Sequence, residues 1–291
     1  MSPAVLLLVI ASAGLHATWN FLAKRAQDQV AFMFLLMATS PLVFLGPMVW
    51  MAWHGYRFGP WWVWVLSGFM QAAYCHLMGR GYESGDLSQV YPLARGLAPG
   101  LIAILAWLLL GEALSLAGIA GIVAIIAGGL LLHTDHHRGL FNGDSLRALW
   151  RPGSRLALLA SVTIAGYHLA DKYGAVHATS PLSYLCAMHV FLILFLGLMT
   201  LTNRRPAQVA AEWRRNWKLA LTGMVFCFAA YLLVVTAMKL APVAYVASLR
   251  NLSILIGVVY GVAALQEEGL GWRVAGAALM LGGIAVVALW G

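Results

Sequence analysis

Two arginines, Arg95 and Arg250, stand inside otherwise apolar runs of the chain. A guanidinium is a planar fork that grips a carboxylate or phosphate through parallel hydrogen bonds, so an arginine held away from water reads first as an anion site. Arg95 is flanked by Tyr91 and Pro92 on one side and Pro99 on the other. Tyr91 falls one helical turn earlier, where it can stack on or bond the same solute. Two prolines remove backbone donors from that helix, which is tolerated where a helix lines a cavity. Other polar residues recur at helical spacing: His16, Asn20 and Lys24 beside Trp19, Gln71 with Tyr74, and His168, Asp171 and Lys172 beside Tyr167. Tyr184, His189, Tyr231, Tyr245 and Tyr260 line a pocket or belong to interfacial aromatic belts. The expected substrate-binding residues are Arg95, Tyr91, Trp19, Asn20, Gln71, Tyr74, His168, Tyr245 and Arg250.

These residues have to be positioned by a membrane. The chain has 291 residues, 62% hydrophobic and 10% charged, well outside the composition of a soluble domain. Its net charge of +8 lies between apolar runs and forms no basic stripe with exposed aromatics, so no nucleic-acid partner is expected. Ten apolar spans are predicted, at 3–22, 30–53, 61–81, 88–110, 115–133, 155–174, 180–202, 217–238, 243–265 and 271–290. The three cysteines fall inside spans and imply no disulfide framework.

The chain repeats itself. Without gaps, 87–132 aligns on 242–287 so that Arg95 falls on Arg250, Glu112 on Glu267, Gly121 on Gly276 and Gly128 on Gly283. His168 and Lys172 likewise fall on Asn20 and Lys24. The fold class is therefore an all-α polytopic membrane protein of ten transmembrane helices in two five-helix repeats. Five is odd, so the second repeat is inverted relative to the first, an arrangement that puts a solute site near the bilayer midplane between the halves. The expected division is a first repeat at 1–133, a polar linker at 134–154 and a second repeat at 155–291. The linker stretch His133, Asp135, His136 and His137 reads as a solvated loop, and no metal site is expected. Glu112 and Glu267, each at a helix–turn–helix junction, are expected to cap the helix that follows. The glycines Gly118, Gly121, Gly128, Gly276, Gly282 and Gly283 read as helix-packing surfaces. Lys24 and Lys172 are expected to snorkel.

The segment HATWNFLAK near the start, the long YPLARGLAPGLIAILAWLLLGEALSLAGIAGIVAIIAGGLLL and its second-half echo resemble the EamA-type branch of the drug/metabolite transporter superfamily. The resemblance spans essentially the whole chain. It implies ten helices in two inverted repeats, alternating access, export of small metabolites such as amino acids, and both termini in the cytoplasm. The charges point the other way on this last matter. Thirteen lysines and arginines fall in connections after odd-numbered spans and three in the others, which places both termini outside.

The leading expectation is a secondary transporter, acting as an exporter of amino acids or similar polar metabolites, in the cell inner membrane. Its partners are the solute, the lipid bilayer, protons as a candidate coupling ion and a second copy as a candidate homodimer. A sugar-phosphate-like anion exchanger and a flippase for lipid-linked substrates remain open as alternatives. No Walker A loop, metalloprotease or hydrolase motif occurs, so neither an enzyme nor a cofactor is expected.

Overall fold

A computed structural model of the chain describes residues 1–84, 87–133, 152–253 and 270–291. Eleven helices lie among them: α1 (Pro3–Lys24), α2 (Gln29–Ala38), α3 (Pro41–Trp53), α4 (Trp61–Ser84), α5 (Leu87–Leu110), α6 (Leu116–His133), α7 (Pro152–His177), α8 (Pro181–Asn203), α9 (Pro206–Leu240), α10 (Val243–Leu249) and α11 (Leu270–Trp290). No strand occurs among the described residues. Among the described residues, four spans are long and apolar enough to cross a bilayer on composition alone: Pro3–Ala23, Gln29–Trp53, Pro181–Asn203 and Pro206–Leu240. The described helices outside those four include α7, which carries Asp171 and Lys172 along its length.

Helix starts follow local chemistry. Pro3, Pro41, Pro181 and Pro206 occupy first positions, where a missing N–H costs nothing. Asp28 accepts from the Ala31 amide at 2.9 Å, and Ser180 accepts from the Ser183 amide at 3.0 Å. Gly111 ends α5 by taking φ +66°, a left-handed conformation that a side chain disfavours, and the Glu112 amide turns back to the Ala106 carbonyl at 3.2 Å.

Three spans depart from the sequence expectation. Span 30–53 is two helices, α2 and α3, broken at Thr39–Ser40, whose hydroxyls donate back to the Leu36 and Met37 carbonyls at 2.9 and 2.7 Å. Such hydroxyls satisfy backbone groups that a helix break would leave bare in lipid. Span 217–238 is the apolar part of α9, which begins a polar stretch earlier and kinks at Asn216. The ninth span stops being regular at Arg250, where the Asn251 amide bonds the Ser248 carbonyl three residues back at 3.1 Å. The remainder of that span from residue 254, with Tyr260, lies outside the described residues, as do Glu267 and most of the 134–154 linker.

Apolar and polar surfaces are distributed as lipid requires. Leu7, Trp53, Trp107, Leu116 and Trp290 point outward, whereas His16, Gln71, Arg95, His168, Asp171 and Arg250 are buried. The helix pairing reflects the duplication. α1 packs on α9 and α7 packs on α4, one contact seen from either repeat, and α6 packs on α11 across the symmetry relation.

The α6–α11 seam uses the aligned glycines. A Cβ on Gly121 would lie 2.8 Å from the Gly283 carbonyl oxygen, and one on Gly128 would lie 2.6 Å from that of Gly276. Gly118 instead makes room for the Tyr245 ring, and Gly282 faces open space, so neither belongs to this seam.

The two ends of the bundle differ in charge. On one, Arg204 pairs with Asp28 at 2.6 Å, Arg215 reaches Gln27 at 2.6 Å and Arg80 reaches Asn203 at 3.3 Å. On the other, the Met1 amine donates to the Ala288 carbonyl at 3.2 Å and the Ser115 hydroxyl to that of Trp290 at 3.0 Å. The termini thus share the face opposite this arginine cluster.

Candidate functional site

Polar side chains converge where α5 and α10 cross, between the two repeats. The Asn251 amide donates to the backbone carbonyl of Arg95 at 3.4 Å, so the two arginine-bearing stretches touch. Arg95, Ala98, Pro99, Ile164, His168 and Asn251 line a cavity of about 10 Å3, room for about one water. Arg95 and Arg250, 4% and 3% exposed, are interior residues as their cost in lipid, on the order of 3 kcal/mol, demands.

α7 presents two successive turns to this centre. On the first, His168 has Nδ1 at 2.8 Å from the Ile164 carbonyl and Nε2 at 3.1 Å from the Arg250 guanidinium. A carbonyl needs a donor and a guanidinium needs an acceptor, so the ring is the neutral tautomer protonated on Nδ1. The Tyr167 ring lies 4.5 Å from His168, and the Arg250 guanidinium sits 5.4 Å from the centre of the Tyr231 ring, within cation–π range.

On the next turn, Asp171 is fully buried. Its carboxylate accepts from the hydroxyls of Ser67 and Tyr231, from the Tyr184 hydroxyl at 2.7 Å and from the Gln71 amide at 3.4 Å. Gly174, one turn further, explains how Tyr184 gets there, because a Cβ on it would lie 2.0 Å from the ring. Tyr231 joins the two turns: its hydroxyl meets Asp171 and its face meets Arg250.

The expected site residues divide accordingly. Arg95, Arg250, His168 and Gln71 come together here. Tyr74 is buried beside Tyr167, ring centres 5.9 Å apart. Trp19 is buried on α1, where its indole N–H donates to His16 Nδ1 at 3.1 Å, and His16 lies within electrostatic reach of Arg95, Arg250 and His168. Asn20 turns its amide back to the His16 carbonyl at 2.8 Å. Tyr245 is not brought into the cluster: its hydroxyl receives the Ser115 amide at 2.9 Å at the start of α6. The side chain of Tyr91 lies outside the described residues. Tyr184 and Tyr231 are buried core residues rather than belt residues, and His189 packs among Phe44 and Phe228.

Asp171, Ser67, Tyr167, Tyr184, Tyr231 and Asn251 are the site residues that sequence reasoning left out of the set. The signal was present in spacing: Ser67, Gln71 and Tyr74 share one face of α4, and Tyr167, His168 and Asp171 share one face of α7.

Glu112 and Lys172 take roles different from those expected. Glu112 caps α10 of the other repeat, accepting from the Val243 amide at 2.8 Å, and not the helix that follows it. Lys172 does not snorkel. It pairs with Glu112 at 3.3 Å and donates to the Met238 and Ala241 carbonyls at 2.7 and 2.9 Å, the end of α9.

Apolar outer surfaces, helices in two inverted halves and a buried charged centre between them define a multi-pass membrane transporter architecture. The model of the EamA-like transporter family matches the chain twice, over residues 3–134 and 151–289, and the chain belongs to that family. It is a family of transporters rather than of enzymes. A solved crystal structure superposes with a TM-score of 0.72 over 99% of this chain and 98% of that one, at 19% identity, a likeness of fold. No curated relative matches the sequence.

Proposed function

We propose that the protein exports small polar metabolites, amino acids foremost, across the cell inner membrane by alternating access of its two repeats. The observation that supports this reading is the meeting of Arg95, Arg250 and Asp171 within one buried cluster. Two guanidiniums suit a carboxylate, and a carboxylate one turn away suits an ammonium, so the cluster carries both signs that a zwitterion needs. Arg95 and Arg250 hold the carboxylate, with His168 orienting Arg250. Gln71, Tyr74, Trp19 and Asn20 line the solute's path, and Tyr91 stands a turn before Arg95.

The cavity of about 10 Å3 is far smaller than an amino acid, so the repeats must part to admit one. A phosphate ester would use both arginines but would meet the Asp171 carboxylate as well, which is why it ranks second. The charge asymmetry of the two ends supports, by the positive-inside rule, an orientation with the arginine-rich end in the cytoplasm and both termini outside. The repeats are taken as 1–133 and 155–291, joined by the 134–154 linker.

The test is a thermal-stability screen of the purified protein against amino acids, sugar phosphates, amines and nucleosides. A ligand at a hundred times its dissociation constant adds roughly 2.7 kcal/mol. Stabilisation by amino acids that Arg95→Ala abolishes is the expected result. Stabilisation by phosphate esters alone replaces the solute class with the second reading.

A further inference from the structure

We propose that Asp171 is the proton-carrying group of this transporter, protonated in one part of the transport cycle and ionised in another. This rests on the transport reading above, and it is drawn from how Asp171 is held. Among the described residues its four hydrogen-bond donors are all neutral, three hydroxyls and one amide. Neutral donors solvate a carboxylate without committing it to that state as a bonded cation would. A hydroxyl also accepts as readily as it donates. When Asp171–COO⁻ takes up H⁺ to become Asp171–COOH, the new O–H donates to the Tyr231 oxygen. The Tyr231 hydroxyl then stops donating to the carboxyl and accepts from it instead, its own O–H rotating off that oxygen.

The partners also come from both halves of the molecule. Ser67 and Gln71 belong to α4 of the first repeat, and Tyr184 and Tyr231 to α8 and α9 of the second, as does Asp171 itself. Any motion that parts the repeats withdraws Ser67 and Gln71 together while the tyrosines stay. Proton occupancy and conformation are therefore linked through one residue.

The charged and titratable groups around it fit this role. From α9 and α8 come Tyr231 and Tyr184, and from α4 only the neutral Ser67 and Gln71. Arg250 of α10 acts through space from behind the Tyr231 ring. Arg95 of α5 lies within electrostatic reach of Tyr167, and on α7 itself His168 is bonded to Arg250 while Lys172 is paired with Glu112.

Infrared difference spectra of the full chain in liposomes, taken between mildly alkaline and mildly acidic buffer, test the proton directly. The wild-type protein should gain a carboxylic-acid carbonyl band that Asp171→Asn lacks and whose midpoint is displaced in Ser67→Ala. Identical spectra for wild type and Asp171→Asn would overturn the proposal. Should Asp171→Asn fail to fold, Asp171→Glu serves instead, and a band at unchanged frequency there overturns it equally.

A second arm loads the liposomes with a radiolabelled amino-acid mixture and imposes an inward proton gradient. Wild-type efflux should rise several-fold with the gradient, and Asp171→Asn should show no gradient-driven efflux. Gradient-driven efflux that survives in Asp171→Asn, or efflux driven equally by a sodium gradient, overturns the proposal. If no label leaves the wild-type vesicles, the amino-acid reading fails while the infrared arm still decides Asp171.

Discussion

Glu112 Oε1 and Lys172 Nζ lie 3.3 Å apart and tie the end of α5 in one repeat to α7 in the other, both side chains less than one-fifth exposed. The other oxygen of Glu112 caps α10, so one carboxylate holds three helices at the face that carries the termini. Glu112→Gln should lower stability by about 2 kcal/mol, since a mostly buried ammonium loses its counter-ion. A double-mutant cycle with Lys172→Met, read by thermal unfolding, should give a coupling above roughly 0.5 kcal/mol. Strict additivity would show that the pair contributes nothing to the fold.

Gly174→Ala probes how Tyr184 reaches Asp171. The added methyl would occupy the ring's place in a site with no exposed volume, so Tyr184 must leave the carboxylate. The expected loss is about 1–3 kcal/mol in unfolding measurements. Tyr184→Phe, which keeps the ring and removes only the hydroxyl, should lose about 1 kcal/mol. Equal stability of Gly174→Ala and wild type would mean that the ring has an alternative place.

Adjacent glycines should behave in opposite ways. A Cβ on Gly283 would lie 2.6 Å from the Gly121 carbonyl oxygen, and one on Gly282 meets nothing within 4 Å. Gly283→Ala should lower the midpoint of thermal unfolding. Gly282→Ala should leave it unchanged or raise it, alanine being favoured over glycine in a helix by up to about 1 kcal/mol. The same response from both would contradict the seam.

Arg250→Lys keeps the charge and discards the fork that reaches His168 while lying over Tyr231. Affinity for a stabilising amino acid should fall about tenfold or more, near 1.4 kcal/mol, in Arg250→Lys and in Arg95→Lys. Titration by thermal shift measures it. Undiminished affinity in both would remove the arginines from solute recognition.

Sidedness is checked by a reporter fused after Gly291. A reporter active only in the cytoplasm should stay dark and a periplasmic one should be active, if the arginine-rich end faces the cytoplasm. The reverse pattern would place the termini inside.

The ten-span, two-repeat plan was legible because it is written in long-period features: apolar runs of bilayer length and an arginine, a glutamate and two glycines recurring at one offset. The helix breaks were not. Thr39–Ser40 interrupts an apolar run without changing its hydropathy, Asn216 stands in the polar stretch just before one, and what makes the breaks tolerable is hydroxyl and amide bonding that no periodicity records. In the site, the arginines stood out because lipid penalises them strongly wherever they point. Asp171 was less visible, since its place depends on Ser67, Tyr184 and Tyr231, drawn from helices distant in sequence. Lys172 sits beside it on α7 and looked like an interfacial lysine, because its partner Glu112 belongs to the other repeat.

The glycine seam between α6 and α11 has a mechanical meaning. Where main chains touch, carbonyl oxygens stand in the positions that side chains would fill, and there is no rotamer to yield when one helix slides along the other. These two helices, one closing each repeat, therefore act as an axle. On the alternating-access reading proposed above, the repeats turn about that axle and the bundle opens on its far side.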